Sequence, residues 1–193
     1  MTHQLSLAEL NSGLDEIRHS PLREGMVRLV VARPAEDERE VLDEGRLDPL
    51  EGLAGDNWAV RGSDFTPDGG ANPDRQLTLM NARVAQLVAG SRERWPLAGD
   101  QLYVDLLLGG DEVGPGTRLA VGTAVVEITA EPHLGCGKFS RRFGVDALKF
   151  VNSAAGRELN LRGVNARVVR AGVVRPGDRV AVTGSAGPRS HAR

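Results

Sequence analysis

The chain has 193 residues, of which 40% are hydrophobic, and a formal net charge of −2. This size and composition suffice for one domain with a real core, and the near-neutral charge argues against general nucleic-acid binding, which depends on clustered Lys and Arg. A single cysteine excludes an internal disulfide, and with four scattered histidines it does not supply a four-ligand structural zinc site.

Motifs of several large protein classes are missing from the sequence. No apolar run reaches the roughly 20 residues that a membrane-spanning helix needs, and the first residues lack the features of a signal peptide. There is no GxGxxG after a strand, no P-loop, no HExxH and no GxSxG. We therefore expect a cytoplasmic protein with neither a nucleic-acid nor a membrane partner.

The first 20 residues predict an amphipathic helix, interpreted as an N-terminal appendage. Ser6 and Glu9 have the spacing of a capping box. Apolar residues recur at intervals of three and four: Leu7, Leu10, Leu14 and Ile17. Residues 26–32 (MVRLVVA) are then rich in β-branched side chains and predict the first strand.

The middle of the chain predicts loops followed by a strand and a helix. Residues 35–73 are charged and rich in Gly, Pro and Asp, which favours long loops with short edge strands. Residues 62–73 have the composition of a mobile surface loop, either a lid or a linker. Residues 75–80 alternate polar and apolar side chains as a strand does, and Asn81 is placed to cap a helix ending at Gly90.

The second half predicts mainly strands, with one short helix over residues 145–151. The predicted strands cover residues 101–108, 117–121, 124–129, 164–169 and 179–182. Because Gly-rich turns join them, the expected fold class is mostly β, a β-barrel with a few short helices. The predicted organisation is an N-terminal helix over residues 1–20, a barrel over residues 21–184 and a flexible tail over residues 185–193.

Three Gly-Asp pairs are interpreted as β-turns in which the aspartate caps a neighbouring amide. They are residues 55–56, 99–100 and 177–178. Cys136 is the most probable functional residue, because glycines flank it on both sides and leave the thiol unscreened. A lone cysteine is also commonly a small buried hydrophobe, and that interpretation stays open.

Cations surround the cysteine in the sequence. His133, Lys138, Arg141 and Arg142 lie within six residues of Cys136, and positive charge favours the thiolate, the form that acts as nucleophile and metal ligand. Adjacent helical residues point about 100° apart, so at most one of the two arginines is expected to face the thiol. Either His133 or Lys138 can equally be an ordinary solvated residue.

Several segments, in order, resemble the MOSC domain (molybdenum cofactor sulfurase C-terminal domain), and within that family its compact stand-alone bacterial members. The segments are residues 52–56 (GLAGD), 76–81 (QLTLMN), 98–106 (AGDQLYVDL), 115–119 (PGTRL), 132–139 (PHLGCGKF), 162–169 (RGVNARVV) and 177–178 (GD). Many members carry an Arg-Glu-Asn-type motif where this chain has residues 99–102 (GDQL).

The resemblance implies a MOSC-type barrel that works in molybdenum-cofactor or sulfur-transfer metabolism. The family's cysteine maps onto Cys136, as metal ligand or sulfur carrier, with His133 and Lys138 as candidate catalytic neighbours. The implied cofactor is Mo-molybdopterin, and the chain has no pyridoxal-phosphate domain. Polar residues in the matching segments and beside the loop are candidate cofactor ligands: Gln76, Thr78, Gln101, Arg141, Arg162 and Asn165.

Three functions remain open at this stage. The first is binding of molybdenum cofactor, or transfer of sulfur between a small donor and acceptor, through Cys136. The second is a molybdenum-dependent reductase of N-hydroxylated compounds. The third is a non-catalytic interaction domain. An electron-transfer protein or a sulfurtransferase would be the protein partner of the first two.

Overall fold

Seven strands close into a β-barrel in the computed structural model of this chain, which describes residues 4–63 and 66–184. In chain order the strands are β1 (Glu24–Ala32), β2 (Glu40–Leu42), β3 (Gly45–Asp48), β4 (Gly52–Leu53), β5 (Leu77–Asn81), β6 (Leu102–Asp105), β7 (Arg118–Val121), β8 (Ala124–Ile128), β9 (Val164–Arg170), β10 (Gly172–Val174) and β11 (Arg179–Gly184). Around the barrel the order is β1, β11, β7, β8, β9, β5 and β6, which returns to β1. Only β5 and β6 pair in parallel among these neighbours.

Two small additions extend the barrel. The end of β1 carries β2 beside it, with Val31 opposite Val41. Strands β10, β3 and β4 form a separate three-stranded sheet. The helices are α1 (Leu7–Ser12), α2 (Leu14–Arg18), α3 (Trp58–Arg61), α4 (Ala82–Ala89), α5 (Gly137–Phe143), α6 (Val145–Asn152) and α7 (Ala154–Glu158), with 3₁₀ turns at Pro73–Arg75 and Arg92–Ala98.

Strand alternation divides the buried side chains into two cores. Val30, Leu79 and Val104 belong to the core inside the barrel. Their strand neighbours Met80 and Tyr103 belong to a second core between the barrel and its helices. Because successive side chains of a strand point to opposite faces, β1, β5 and β6 are apolar on both faces and are covered on both.

The expected fold class is confirmed: the chain forms a closed seven-stranded barrel with a few short helices. The N-terminal helix is divided at Gly13, where a Cβ atom would lie 2.6 Å from Leu87 Cδ2 of α4. Leu10 and Ile17 are buried in the second core, between the barrel and its helices, so this segment packs on the barrel. The capping box of Ser6 and Glu9 is present.

Other predictions need smaller changes. Strand β6 ends at Asp105 rather than at residue 108, although the next three leucines are buried. Asn81 caps α4 as expected, since its side chain accepts a hydrogen bond from Arg83 N. The predicted tail lies outside the described residues, as does part of the predicted surface loop at residues 62–73. No helix in the described part of the chain has the length and apolar character to cross a membrane.

Candidate functional site

A cleft of about 970 Å³ opens beside the end of β1, between the barrel and helix α5. Thr78 of β5 and Asn165 of β9, which pair across the two strands, line its barrel side. The loop with His133 and Cys136 forms another wall. Seven cationic side chains line it: Arg33, Arg39, Arg61, Arg75, Lys138, Arg142 and Arg162.

One buried ion pair at the cleft joins Arg33 to Asp56, whose side chain is fully buried. The Arg33 guanidinium donates two parallel hydrogen bonds, from Nε to Asp56 Oδ2 at 2.8 Å and from Nη2 to Oδ1 at 2.9 Å. The carboxylate also accepts from the backbone amides of Arg33 and Trp58, both at 3.0 Å. Asp56 therefore fixes both the arginine and the turn that leads into α3.

A second buried ion pair joins Arg162 to Asp100. Arg162 Nη1 donates to Asp100 Oδ2 at 2.7 Å, and Nη2 donates to the carbonyl of Ala98 at 2.8 Å. The other oxygen, Asp100 Oδ1, is buried and accepts no hydrogen bond. It lies 3.6 Å from Nδ1 of His133, an atom that is likewise buried without a partner. The residue after Arg162, Gly163, packs closely on β5, since a Cβ there would lie 2.2 Å from Leu79 O.

His133 is held as a neutral imidazole by its surroundings. Burial lowers its pKa well below the ordinary range, and the positive charges of Arg162, Arg33 and Arg75 lower the pKa further. Its Nδ1 atom is buried and has no hydrogen-bond partner among the described residues. Nε2 is not one of these buried atoms, and it likewise has no hydrogen bond to a described residue. Since His133 lines the cleft and its Nδ1 is buried, Nε2 is the ring nitrogen that could contact a ligand there.

The cysteine loop is positioned by a residue that sequence reasoning missed. Asn152 of α6 accepts a hydrogen bond from Gly135 N at 2.9 Å and donates one to Gly135 O at 3.1 Å. Gly135 packs against α6 so closely that a Cβ would lie 2.8 Å from Leu148 Cδ1. Cys136 is the residue preceding α5; it is exposed and its sulfur makes no hydrogen bond within the described residues.

The cations near the cysteine divide into paired and displaced residues. Lys138 lines the cleft and forms an ion pair with Glu36. Arg142 also lines it, donates to Leu97 O at 2.8 Å and pairs with Asp37. Arg141 lies on the exposed surface of α5 and is not part of the cleft lining. As the helical geometry requires, only one of the two adjacent arginines faces the cleft.

Two arginines of the cleft have no carboxylate partner among the described residues, Arg39 and Arg61. Arg39 donates to the carbonyl of Pro96 at 3.1 Å. Partial burial, followed by the charges of Arg142 and Arg33, lowers the pKa of Arg39. Arg61 keeps an exposed surface, yet partial burial and the charge of Arg33 lower its pKa as well. Among the described residues, the cleft therefore holds positive charge in excess of its carboxylates.

The remaining candidate ligands have mainly structural contacts. Gln76 and Gln101 are buried and do not line the cleft. Gln76 bonds to Pro49 O and Val168 N, and Gln101 bonds to the carbonyl of Gln76 and to Thr78 N and Oγ1. Asn165 donates to the carbonyl of Glu131 at 3.2 Å. Thr78, Asn165 and Arg162 reach the cleft, so their predicted role in ligand binding stays open, as does that of Gln76 and Gln101.

The interpretation of the Gly-Asp pairs needs correction. Asp178 caps a turn as predicted, accepting from Arg175 N at 2.8 Å. Asp56 caps Trp58 N but also binds Arg33. For Asp100 the interpretation is wrong, because its carboxylate binds Arg162 rather than a neighbouring amide. Asp56, Asp100 and Asn152 are thus supporting residues of the site that the sequence did not reveal, and it also missed cleft-lining residues: Arg33, Arg39, Asn57, Arg61 and Arg75. The only local signal was two aspartates beside glycines.

A bare metal ion has no ready-made site in residues 4–63 and 66–184. No group of three or more His, Cys, Asp or Glu side chains is placed to hold one. Cys136 can therefore supply one ligand to a metal that brings others with it, but not a complete coordination shell.

Comparison with known proteins places the chain by its fold. No protein-family model matches the sequence, and no curated protein matches it. Among solved structures, YuaD from Bacillus subtilis superposes with a TM-score of 0.60 at 15% identity, over 81% of this chain and 94% of that one. YiiM from Escherichia coli gives a TM-score of 0.55 at 19% identity, over 87% of this chain and 73% of that one. A protein described only as hypothetical gives 0.58 at 20% identity, over 88% and 72%. These similarities show that the chain shares their fold.

Proposed function

We propose that this protein is a MOSC-type domain that binds molybdenum cofactor with Cys136 as a metal ligand, or carries sulfane sulfur on that residue. The observation that supports the proposal most is the exposed thiol on the wall of a cleft with excess positive charge. The barrel shared with YuaD and YiiM is compatible with the family resemblance of the sequence. We place this activity in the cytoplasm, where a free thiol stays reduced.

The side chains of the cleft fit the chemistry of such a cofactor. A soft thiolate suits molybdenum, and one thiolate suffices only when the metal arrives already chelated by its own organic ligand. The cofactor's phosphate would meet Arg39 and Arg61, whose charges no described carboxylate balances. When bound, the cofactor would supply redox chemistry at molybdenum.

Sulfur carriage is the second candidate, favoured by the absence of any hydrogen bond to the Cys136 thiol within the described residues. In this step the Cys136 thiolate attacks the outer sulfur of a donor persulfide. The new S–S bond forms on Cys136 as the donor's S–S bond breaks, and the donor leaves as a thiolate that takes up a proton. The sulfane sulfur moves without net oxidation or reduction, so no further oxidant is needed.

The test is the molybdenum and pterin content of the full chain, purified anaerobically from a cofactor-producing host. Wild type is compared with Cys136→Ala and Cys136→Ser, which remove the thiolate with little change in size. Near-stoichiometric metal in wild type and its loss from both variants is the expected result for a metal ligand. Metal retained by the variants would contradict the role of Cys136 but not that of the cleft. Metal bound through Cys136 would then justify assays of reductase activity with an electron donor.

Absence of metal from all three proteins would contradict bound cofactor, and sulfur carriage is then tested directly. Because Cys136 is the single cysteine, a mass gain of one sulfur atom after incubation with a persulfide donor can only reside there. The gain must disappear on reduction and be absent from Cys136→Ser. A chain that takes up neither metal nor sulfur would instead be the non-catalytic interaction domain.

A further inference from the structure

The buried group formed by Arg162, Asp100 and His133 has more structure than an ion pair requires. Asp100 is completely buried, and only one of its two oxygens is used by Arg162. The free oxygen and His133 Nδ1 are both buried without a partner, 3.6 Å apart. A buried polar atom without a hydrogen bond destabilises the fold. Two such atoms facing each other therefore define a single contact, slightly too long to count as a hydrogen bond.

The proton on the imidazole decides whether that contact attracts or repels. If Nδ1 carried no proton, its lone pair would face a carboxylate oxygen across 3.6 Å with no hydrogen between them. If Nδ1 carries the proton, it donates to Asp100, and the contact needs to shorten by only a few tenths of an ångström. Hydrogen bonds at unliganded sites are often long in this way and tighten when a ligand binds.

We propose that Asp100 and Arg162 are positioning residues that fix His133 in its neutral Nδ1–H tautomer, so that Nε2 faces the cleft as a hydrogen-bond acceptor. Arg162 has only donors, so it binds Asp100 through Oδ2 and leaves Oδ1 directed at the imidazole. A neighbouring hydrogen bond sets the tautomer of a histidine in the same way at many catalytic and metal sites. This arrangement distinguishes His133 from a loop histidine that is merely solvated.

The tautomer of His133 also restricts which ligands the cleft can bind. This restriction extends the proposed function of the cleft, and it rests on that proposal only for the identity of the ligand. The cleft offers donors in Arg39 and Arg61 and an acceptor in His133 Nε2. Its ligand is therefore an anion that also carries N–H or O–H groups, not a simple oxyanion. A ligand N–H or O–H group would donate a hydrogen bond to Nε2 while the Nδ1–H group stays directed at Asp100.

The experiment reads the tautomer by NMR in uniformly ¹⁵N-labelled, metal-free protein from a cofactor-deficient host, so it is independent of the metal analysis. The two ring nitrogens of each histidine are correlated with their carbon-bound protons at neutral pH, and the His133 signals are identified by their absence from His133→Asn. The expected result is a protonated Nδ1 and an unprotonated Nε2 that stays so down to pH 5.5. An unprotonated Nδ1, rapid exchange between tautomers, or an imidazolium at pH 6.5 would overturn the proposal.

Asp100→Asn provides a sharper test because it should reverse the tautomer. The amide oxygen must accept from Arg162, which has no acceptor, so the amide nitrogen faces His133 Nδ1 and the ring proton moves to Nε2. Asp37→Asn is the matched control: the same change at an exposed cleft residue that does not contact His133 and whose φ of 59° asparagine tolerates. The Nδ1–H tautomer retained in Asp100→Asn, or lost in Asp37→Asn, contradicts the positioning role. Should Asp100→Asn not fold, the wild-type spectrum still decides the proposal.

Discussion

Replacement of Asp56 by asparagine should cost the fold a large part of its stability. The carboxylate accepts four hydrogen bonds, three from Arg33 and one from Trp58. Asparagine keeps one oxygen, so two of these donors would face an NH₂ group while the Arg33 charge stays buried and unpaired. Breaking one side of a buried ion pair typically costs about 3–5 kcal/mol. In a chain of this size that corresponds to a fall in melting temperature of about 6–20 °C.

The assay is urea unfolding followed by tryptophan fluorescence, since Trp58 lies next to the pair. The control is Asp15→Asn, which removes an exposed carboxylate from the Arg18 ion pair and should change the unfolding free energy by about 1 kcal/mol or less. If Asp56→Asn lowered the free energy of unfolding by less than about 1 kcal/mol, the argument that the buried ion pair stabilises the fold would be wrong. Such a result would show that Arg33 is solvated in the variant and that the pair does not hold the cleft together.

Three further outcomes follow from the structure. His133→Asn should make the free energy of unfolding less dependent on pH between pH 5 and 7. In wild type the unfolded histidine takes up a proton as the pH falls below about 6.5, whereas the folded one, with its lowered pKa, does not. Equilibrium unfolding should therefore show that wild type loses up to about 1.4 kcal/mol of stability per pH unit on acidification and that the variant does not. Asn152→Ala should raise deuterium exchange at Gly135 and lower stability by about 1–3 kcal/mol, whereas unchanged exchange would show that helix packing alone holds the loop. Gly163→Ala should lower the melting temperature more than Gly177→Ala. Both glycines have a positive φ, but only at Gly163 would a Cβ meet a backbone oxygen, that of Leu79 at 2.2 Å. Equal melting temperatures of the two variants would contradict this.

The barrel could be predicted from the sequence because alternation and glycine turns are local signals. Residues 26–32 and 75–80 show their strands directly, and both lie within one residue or two of β1 and β5. Shorter elements such as β10 and α7 have too few residues to show a hydrophobic periodicity. The division of the N-terminal helix at Gly13 depends on its contact with Leu87, which is a tertiary effect with no local signal.

The site was predicted in part for the same reason. Cys136, His133 and Lys138 are close in sequence and all line the cleft. Their supporting residues come from elsewhere: Asp100 lies 33 positions before His133 and meets it only because the chain between them returns through β6, β7 and β8. Polarity alone pointed equally to Gln76 and Gln101, whose amides join the strands of the barrel instead.

The distribution of charge within the cleft argues for a defined orientation of its ligand. Arg33 and Arg162, the two most buried cations, are each neutralised by a buried aspartate, so the floor carries little net charge. The unbalanced cations, Arg39 and Arg61, are more exposed. In the proposed binding mode an anionic group would therefore be attracted to these two residues, where it would remain partly solvated, while the N–H or O–H groups of the ligand would face His133. Fixed, paired charges at the floor do not need to reorganise when a ligand binds, which is the property that makes electrostatic preorganisation effective. In the proposed site the two buried aspartates would thus act by keeping the arginines in place rather than by contacting the ligand.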